Sequence, residues 1–414
     1  MTTFDPIFTP AAVRSAVSDD AWVAAMLDAE RALALAESQA GVISADAAAT
    51  IAEACRPELY DAAAIAEQGR GPGNPAEPLV RALRANVGGE AADRVHFGAT
   101  SQDVVDTAAM LVARRAIAAI DVELAGLESL CAGLAREHRD TPMAARTLLQ
   151  QAVPTTFGLK AAGWLVAVHA ARGRLAGCAR SLPAQLGGAA GTLAALGDRA
   201  IEVLRLYAAE LGLGEPALPW HTDRQVVAEL GAALAAAAGA SAKIGLDVAL
   251  LSQTEVGEVA EAGAGGSSTM PQKQNPVGSV LARACERQAR AQAAVLAESV
   301  VAEHERAAGS WHAEWGALSG ALAAAGGAVA GARRSLDGLH VDAERMRTNL
   351  ELTGGAIVSE QVAFELASEL GLAGAKEQVA ASLAAGTLVA PDPATYTGSA
   401  GELVDRALAL VEGA

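Results

Sequence analysis

The chain has 414 residues, more than one ordinary domain, and its 52 % hydrophobic and 19 % charged residues can bury a large core and exclude a mainly disordered state. A net charge of −17 repels phosphate backbones and argues against nucleic acid as a partner, and an anionic small molecule would need a local Arg or Lys cluster to enter a cleft. Aromatics are only 3 %, so small and aliphatic side chains must build the core, which suits closely packed long helices better than a sandwich or propeller.

The opening segment, MTTFDPIFTP, lacks a basic stretch followed by an apolar one, so no signal peptide is expected. A Gly/Pro-rich loop follows at 69–75. The clearest helix starts after Gly98-Ala99-Thr100-Ser101, with Ser101 as the expected N-cap and Asp103 favouring the positive end of the dipole. It runs without Pro to about residue 139, with Ala108, Leu111, Ile117, Leu124, Leu127, Leu130 and Leu134 on one face. Further Pro-free stretches cover about 155–180, 221–262, 277–306 and 313–338, while strand signals are almost absent. The long polar loop 263–276 separates two of these helices, and the segment 338–341 ends the last of them.

The expected fold is all-α: an N-terminal helical domain over 1–101, a central long-helix bundle over 102–338 and a C-terminal helical domain over 339–414. Gly and charges interrupt every apolar run, so no membrane span is expected. Cys55, Cys131, Cys178 and Cys285 form no CxxC pair and read as reduced packing residues of a cytoplasmic protein. No metal-ligand cluster or nucleotide-binding Gly motif is visible, so no metal and no cofactor are expected.

The most informative segment is 266–276, GSSTMPQKQNP, a Gly-rich loop with hydroxyls, an Asn and Lys273, one of only four Lys in the chain. On composition alone it is a solvated connection or a binding loop. Thr100 and Ser101 cap a helix or serve a site, and His96 precedes a Gly turn. Arg224 and Arg306 bind carboxylate or sit in salt bridges or solvent, and His221 caps a helix or takes part in catalysis.

GSSTMPQKQNP resembles the GSSxMPxKxNP signature of the fumarase/aspartase superfamily. The segment 96–103, HFGATSQD, is similar to the family's first block, and 146–152, RTLLQQA, followed by Pro154, to its second. The resemblance implies an all-helical homotetramer whose active sites, each shared between subunits, act on a small polycarboxylate. By the same resemblance Ser267 is the catalytic base or acid at carbon, with His96 as a second catalytic group. Thr100, Ser101, Gln150, Gln151, Arg224, Ser268, Met270, Lys273, Asn275 and Arg306 bind substrate. Within the superfamily, Gly73-Asn74-Pro75, the segments 219–224, 304–306 and 311–315, and Asn349 with Thr353-Gly354-Gly355 are similar to the 3-carboxy-cis,cis-muconate cycloisomerases. An adenylosuccinate lyase-like eliminase and a catalytically silent helical scaffold are the competing readings.

Two departures from the wider family matter. Several lyases have His after the Thr of the second block, paired with Glu thirteen residues after the loop Ser; here these are Leu148 and Val280, aliphatic residues expected to pack together at a partly buried site. A lactone oxygen leaves as a carboxylate of pKa near 4 and needs no acid, whereas hydroxide does. Gln272 and Gln274 also stand where relatives often carry His and Arg, which bears on the exact substrate.

Overall fold

The computed structural model describes residues 3–263, 265–266, 270 and 273–413. Long helices form where the Pro-free stretches predict them: Ser101–Glu137, Phe157–Arg180, Gln225–Leu251, Val277–Glu298 and Ser310–Leu336. The first has 37 residues, a length of about 55 Å. Ser101 is its first helical residue rather than its cap. Thr100 takes the cap position, and its N–H donates to Asp103 Oδ2 at 2.9 Å, a carboxylate reaching back over the first turn.

The strands are a correction. Pro142–Thr147 and Gln150–Thr156 pair antiparallel, with Thr147 opposite Gln150, so Leu148 and Leu149 alone make the turn. Both have positive φ, 51° and 66°, as a type I′ turn requires at its two central positions. That turn normally announces itself as Asn-Gly, and two leucines give no such signal. An irregularity between Ala144 and Arg146 also spoils the period-two alternation.

Two of the long helices are more apolar than the interrupted runs suggest. The helices Gln225–Leu251 and Ser310–Leu336 are long and apolar enough to cross a bilayer by length and composition, with mean hydropathy 1.5 and 1.2. Ala and Gly supply that apolarity, and their small size serves close helix packing. A Cβ at Gly278 would lie 2.8 Å from the Ser335 nitrogen, and one at Gly331 would lie 2.7 Å from that of Ala282, so the backbones of Val277–Glu298 and Ser310–Leu336 touch there.

By internal contacts the chain forms two compact units, Met1–Val122 with Arg172–Gly239 and Ala284–Ala328, and Glu123–Ala171 with Ala240–Arg283 and Val329–Ala414. In the first, the helix Asp19–Gln39 is capped by Ser18 and packs on Ala45–Ala54 and Ala200–Leu211. Met26, Leu27 and Leu33 fill its buried face. In the second, Ala144 of the hairpin lies in a core with Leu350, Ile357 and Val358.

Among the described buried charged residues, Glu37 is met by no donor. Glu37 is fully buried, and neither carboxylate oxygen has a hydrogen-bond partner. Burial, then the nearby charge of Glu30, push its pKa from 4.5 up to about 9, against a smaller opposing effect of Arg94. The folded chain therefore keeps a proton that the unfolded chain releases above pH 4.5, so stability falls as pH rises from there to about 9. Thermal unfolding of Glu37→Gln should match the parent near pH 4.5 and exceed it by a margin that widens towards pH 9. A pH-independent difference would contradict the buried-proton assignment.

Candidate active site

The predicted site residues fall in the two units, and each set is built on buried carboxylates. In the first unit, Asp103 is 1 % exposed. It accepts from the N–H of Thr100, Gly187 and Gly188, each at 2.9 Å, and contacts His221 Nε2 at 2.7 Å. One carboxylate thus ties the HFGATSQD turn to the loops at 187–188 and 221. Gly is required at 187, because a Cβ there would lie 2.7 Å from the His221 ring.

One helical turn on, Asp106 accepts from Trp311 Nε1 at 2.9 Å, Gln102 Nε2 at 3.2 Å and Gln185 Nε2 at 3.3 Å. It also holds Arg224, whose Nη1 and Nη2 donate to it at 2.8 and 3.0 Å. Arg224 Nε donates to Glu314 at 2.9 Å, its Nη2 also meets Glu314, and its guanidinium lies 4.7 Å from the Trp220 ring centre. This corrects the substrate-binding expectation. At 2 % exposure, with two carboxylates and an aromatic face around it, Arg224 has no donor left for a ligand. It fastens the 311–314 turn to the long helix instead. His221, also buried, is held by Asp103.

Arg306 is the exposed cation of this set. Its Nη1 donates to Thr100 Oγ1 at 3.1 Å, Nε to Gln102 Oε1 at 3.2 Å and Nη2 to the Ala189 carbonyl at 3.2 Å. It has no carboxylate partner among the described residues, so its charge is uncompensated beside the Thr100 hydroxyl and the adjoining Ser101. His96 sits in the left-handed region at φ 61°, with Nδ1 2.5 Å from Glu30 Oε1. Burial works against protonation of its ring, but the charge and hydrogen bond of Glu30 outweigh it, and the pKa is raised.

In the second unit, Glu258 is fully buried and takes Arg146 bidentately, at 2.7 and 2.9 Å, with Asn349 Nδ2 at 2.8 Å. Gln151 Nε2 donates to the Asn349 carbonyl at 2.9 Å, which fixes the hairpin close to its turn. Gln150 is exposed beyond it. Leu148 and Val280 are 96 % and 53 % exposed, so the expectation of a partly buried aliphatic pair does not hold within this chain. Leu148 occupies a strained turn tip that no core reaches.

Lys273 is exposed, Met270 is 42 % exposed and Asn275 is half-buried. Asn275 and Gln274 pair with Gly265 and Gly266. Ser267, Ser268 and Gln272 lie outside the described residues. Among the described residues, no three His, Cys, Asp or Glu side chains gather as a metal site. Asp106, Gln185, Glu258 and Glu314 escaped the sequence reading as anchors. The i, i+3 spacing of Asp103 with Asp106, and of Trp311 with Glu314, is the signal that puts each pair on one helix face.

A lyase family model matches residues 6–290. The chain is 47 % identical over 442 aligned residues to the nitrosuccinate lyase of Streptomyces davaonensis, covering 97 % of this chain and 93 % of that one. It is 47 % identical over 384 residues to the 3-carboxy-cis,cis-muconate cycloisomerase of Bradyrhizobium diazoefficiens, covering 91 % and 85 %. The crystal structure of the 3-carboxy-cis,cis-muconate lactonizing enzyme of Pseudomonas putida superposes with a TM-score of 0.93 at 39 % identity over 99 % of both chains. A chain so matched in sequence and fold belongs to the lyase family of the fumarase/aspartase superfamily.

Proposed function

We propose that this protein is a cofactor-free cycloisomerase that closes 3-carboxy-cis,cis-muconate to 4-carboxymuconolactone, a step in protocatechuate breakdown. The observation that carries this reading against eliminations that need a leaving-group acid is the hairpin tip. Where related lyases place a histidine, this chain places Leu148, which can neither donate nor accept a proton. The relatives and the superposed structure named for this same reaction support it.

In lactone closure a substrate carboxylate oxygen bonds to one alkene carbon and a proton is added to its neighbour. In reverse, a base removes the proton alpha to a carboxylate, the charge passes into an aci-carboxylate, and the ring oxygen leaves as a carboxylate. With a pKa near 4 that group departs without an acid. The intermediate requires donors where charge accumulates. Lys273, Asn275, Arg306, Thr100, Ser101, Gln150 and Gln151, with Ser268 of the signature loop, fill that role, and Met270, whose side chain has no donor, makes apolar contact with the substrate. Ser267 exchanges the proton at carbon. His96, with its raised pKa and its bond to Glu30, is a second group able to hold a proton near the first block.

A second reading rests on the nitrosuccinate lyase relative, which spans 97 % of this chain. Elimination from nitrosuccinate would expel nitrite, again a stable anion that needs no acid, so Leu148 is compatible with both chemistries. Incubation of the enzyme with each compound in turn, followed by ultraviolet absorbance, separates them. Turnover of the muconate at least tenfold faster supports the cycloisomerase, and turnover of nitrosuccinate alone would replace it.

The assembly we propose is a cytoplasmic homotetramer whose active sites combine the 100–101, 150–151 and 267–275 regions of three subunits. Leu148 and Leu149, 96 % and 76 % exposed on a strained turn, are apolar surface that a neighbouring subunit would cover. Mixing inactive Ser267→Ala and Gln150→Ala chains should restore part of the activity, and a mixture that stays dead would refute shared sites. Lys273→Ala should keep the fold and lose about 1.5–3 kcal/mol of transition-state stabilisation, the worth of a hydrogen bond to a charged group. Near-parental kcat/KM at low salt would remove Lys273 from the site.

A further inference from the structure

The signature loop ends at Asn275-Pro276, and the helix Val277–Glu298 begins at once. Pro276 stands at the cap position, where Ser, Asp or Asn would normally accept from the first free N–H groups. Neither Pro276 nor Val277 has a side-chain acceptor. The acceptor comes from the far side of the loop. Glu261, 7 % exposed, accepts the Gly278 N–H at 2.9 Å on Oε2, and the Ser279 N–H at 2.9 Å and the Ser279 hydroxyl at 2.6 Å on Oε1.

Both partners are themselves fixed. Gly278 meets the Ser335 backbone with no room for a Cβ, and Ser279 Oγ lies 3.0 Å from Ser335 Oγ. Glu261 directly follows Val259–Ala260, which pair with His340–Val341. The carboxylate therefore joins the two ends of the loop. Between the clamp and Lys273 lie only Val277, the first residue of the helix, Pro276, whose ring fixes φ, and Gln274–Asn275, paired with Gly265–Gly266. The freedom left to Lys273 and Asn275 is set by where the helix starts.

We propose that Glu261 is a positioning residue: its carboxylate stands in for a missing N-cap and holds Lys273 and Asn275 where they receive a substrate carboxylate. The identity of that substrate rests on the cycloisomerase reading; the clamp does not. The negative charge is favoured at a helix N-terminus, so a neutral replacement loses the dipole interaction as well as an acceptor. Glu261→Gln can keep an oxygen on Ser279 but turns an NH2 towards the Gly278 N–H. Glu261→Ala keeps nothing.

The test compares the full-length parent, Glu261→Gln, Glu261→Ala and a control, Ser335→Ala. The control removes the hydroxyl beside Ser279 but leaves all three Glu261 bonds in place. Trypsin cleavage after Lys273, mapped by mass spectrometry, reads the clamp without any substrate, and kcat/KM reads its consequence. Glu261→Gln should be cut faster after Lys273 and lose on the order of 10- to 100-fold in kcat/KM, the scale of a small misplacement of binding groups. Glu261→Ala should lose more, and Ser335→Ala should stay near the parent in both readouts even if its Tm falls as far. Parental cleavage and kcat/KM within twofold in Glu261→Gln would overturn the proposal. So would an equal loss in Ser335→Ala, which would mark the effect as general destabilisation. If the parent turns over neither compound, the cycloisomerase reading fails and the cleavage readout alone decides the clamp. If Glu261→Ala does not fold, the Gln variant carries the comparison.

Discussion

A carboxylate taken out of water must be met by donors or it costs more than it returns, and this fold uses that constraint to hold its loops. Asp103, Asp106, Glu258 and Glu261 are each buried, and each is met by groups distant in sequence. The apolar core of Ala, Leu and Val packs the helices but cannot fix a polar loop, because dispersion contacts have no direction. The buried carboxylates supply that direction. Asp103 gathers two loops around the first block, Glu258 ties the hairpin to Asn349, and Glu261 closes the signature loop. Glu37 shows the opposite case: with no donor to meet it, the carboxyl keeps its proton.

The helices were legible in the sequence because Pro marks their limits and Ala fills their interiors. The hairpin was not, since its turn is made by Leu148 and Leu149 against their backbone preference. Such strain is stored where other contacts over-determine it, and it coincides here with the block that bears Gln150 and Gln151. Arg224 misled for a related reason. An Arg beside Trp and His reads equally as ligand site or ion pair, and only the tertiary partners Asp106 and Glu314, far away in the chain, decide for the ion pair. The exposed positions of Leu148 and Val280 were hidden from the sequence because an aliphatic side chain by itself reads as buried.

The proposed chemistry asks for cations and hydroxyls to stabilise an anionic intermediate, and for no acid at the leaving oxygen. Arg306 beside Thr100 and the exposed Lys273 are positive charges set within a strongly negative molecule, the arrangement needed to draw in a polycarboxylate. Lactone closure and nitrite elimination share the requirement that the departing or attacking group be a stable anion, which is why either reaction is compatible with the apolar hairpin tip of this chain.

In the proposed reaction one proton is delivered to carbon beside the newly formed carbon–oxygen bond. Conversion of 3-carboxy-cis,cis-muconate in deuterated water, followed by nuclear magnetic resonance, tests this delivery. The product should be 4-carboxymuconolactone with a single deuterium at the carbon next to the ring oxygen-bearing carbon, on one face only. Unchanged muconate, or a lactone carrying deuterium equally on both faces, would contradict it.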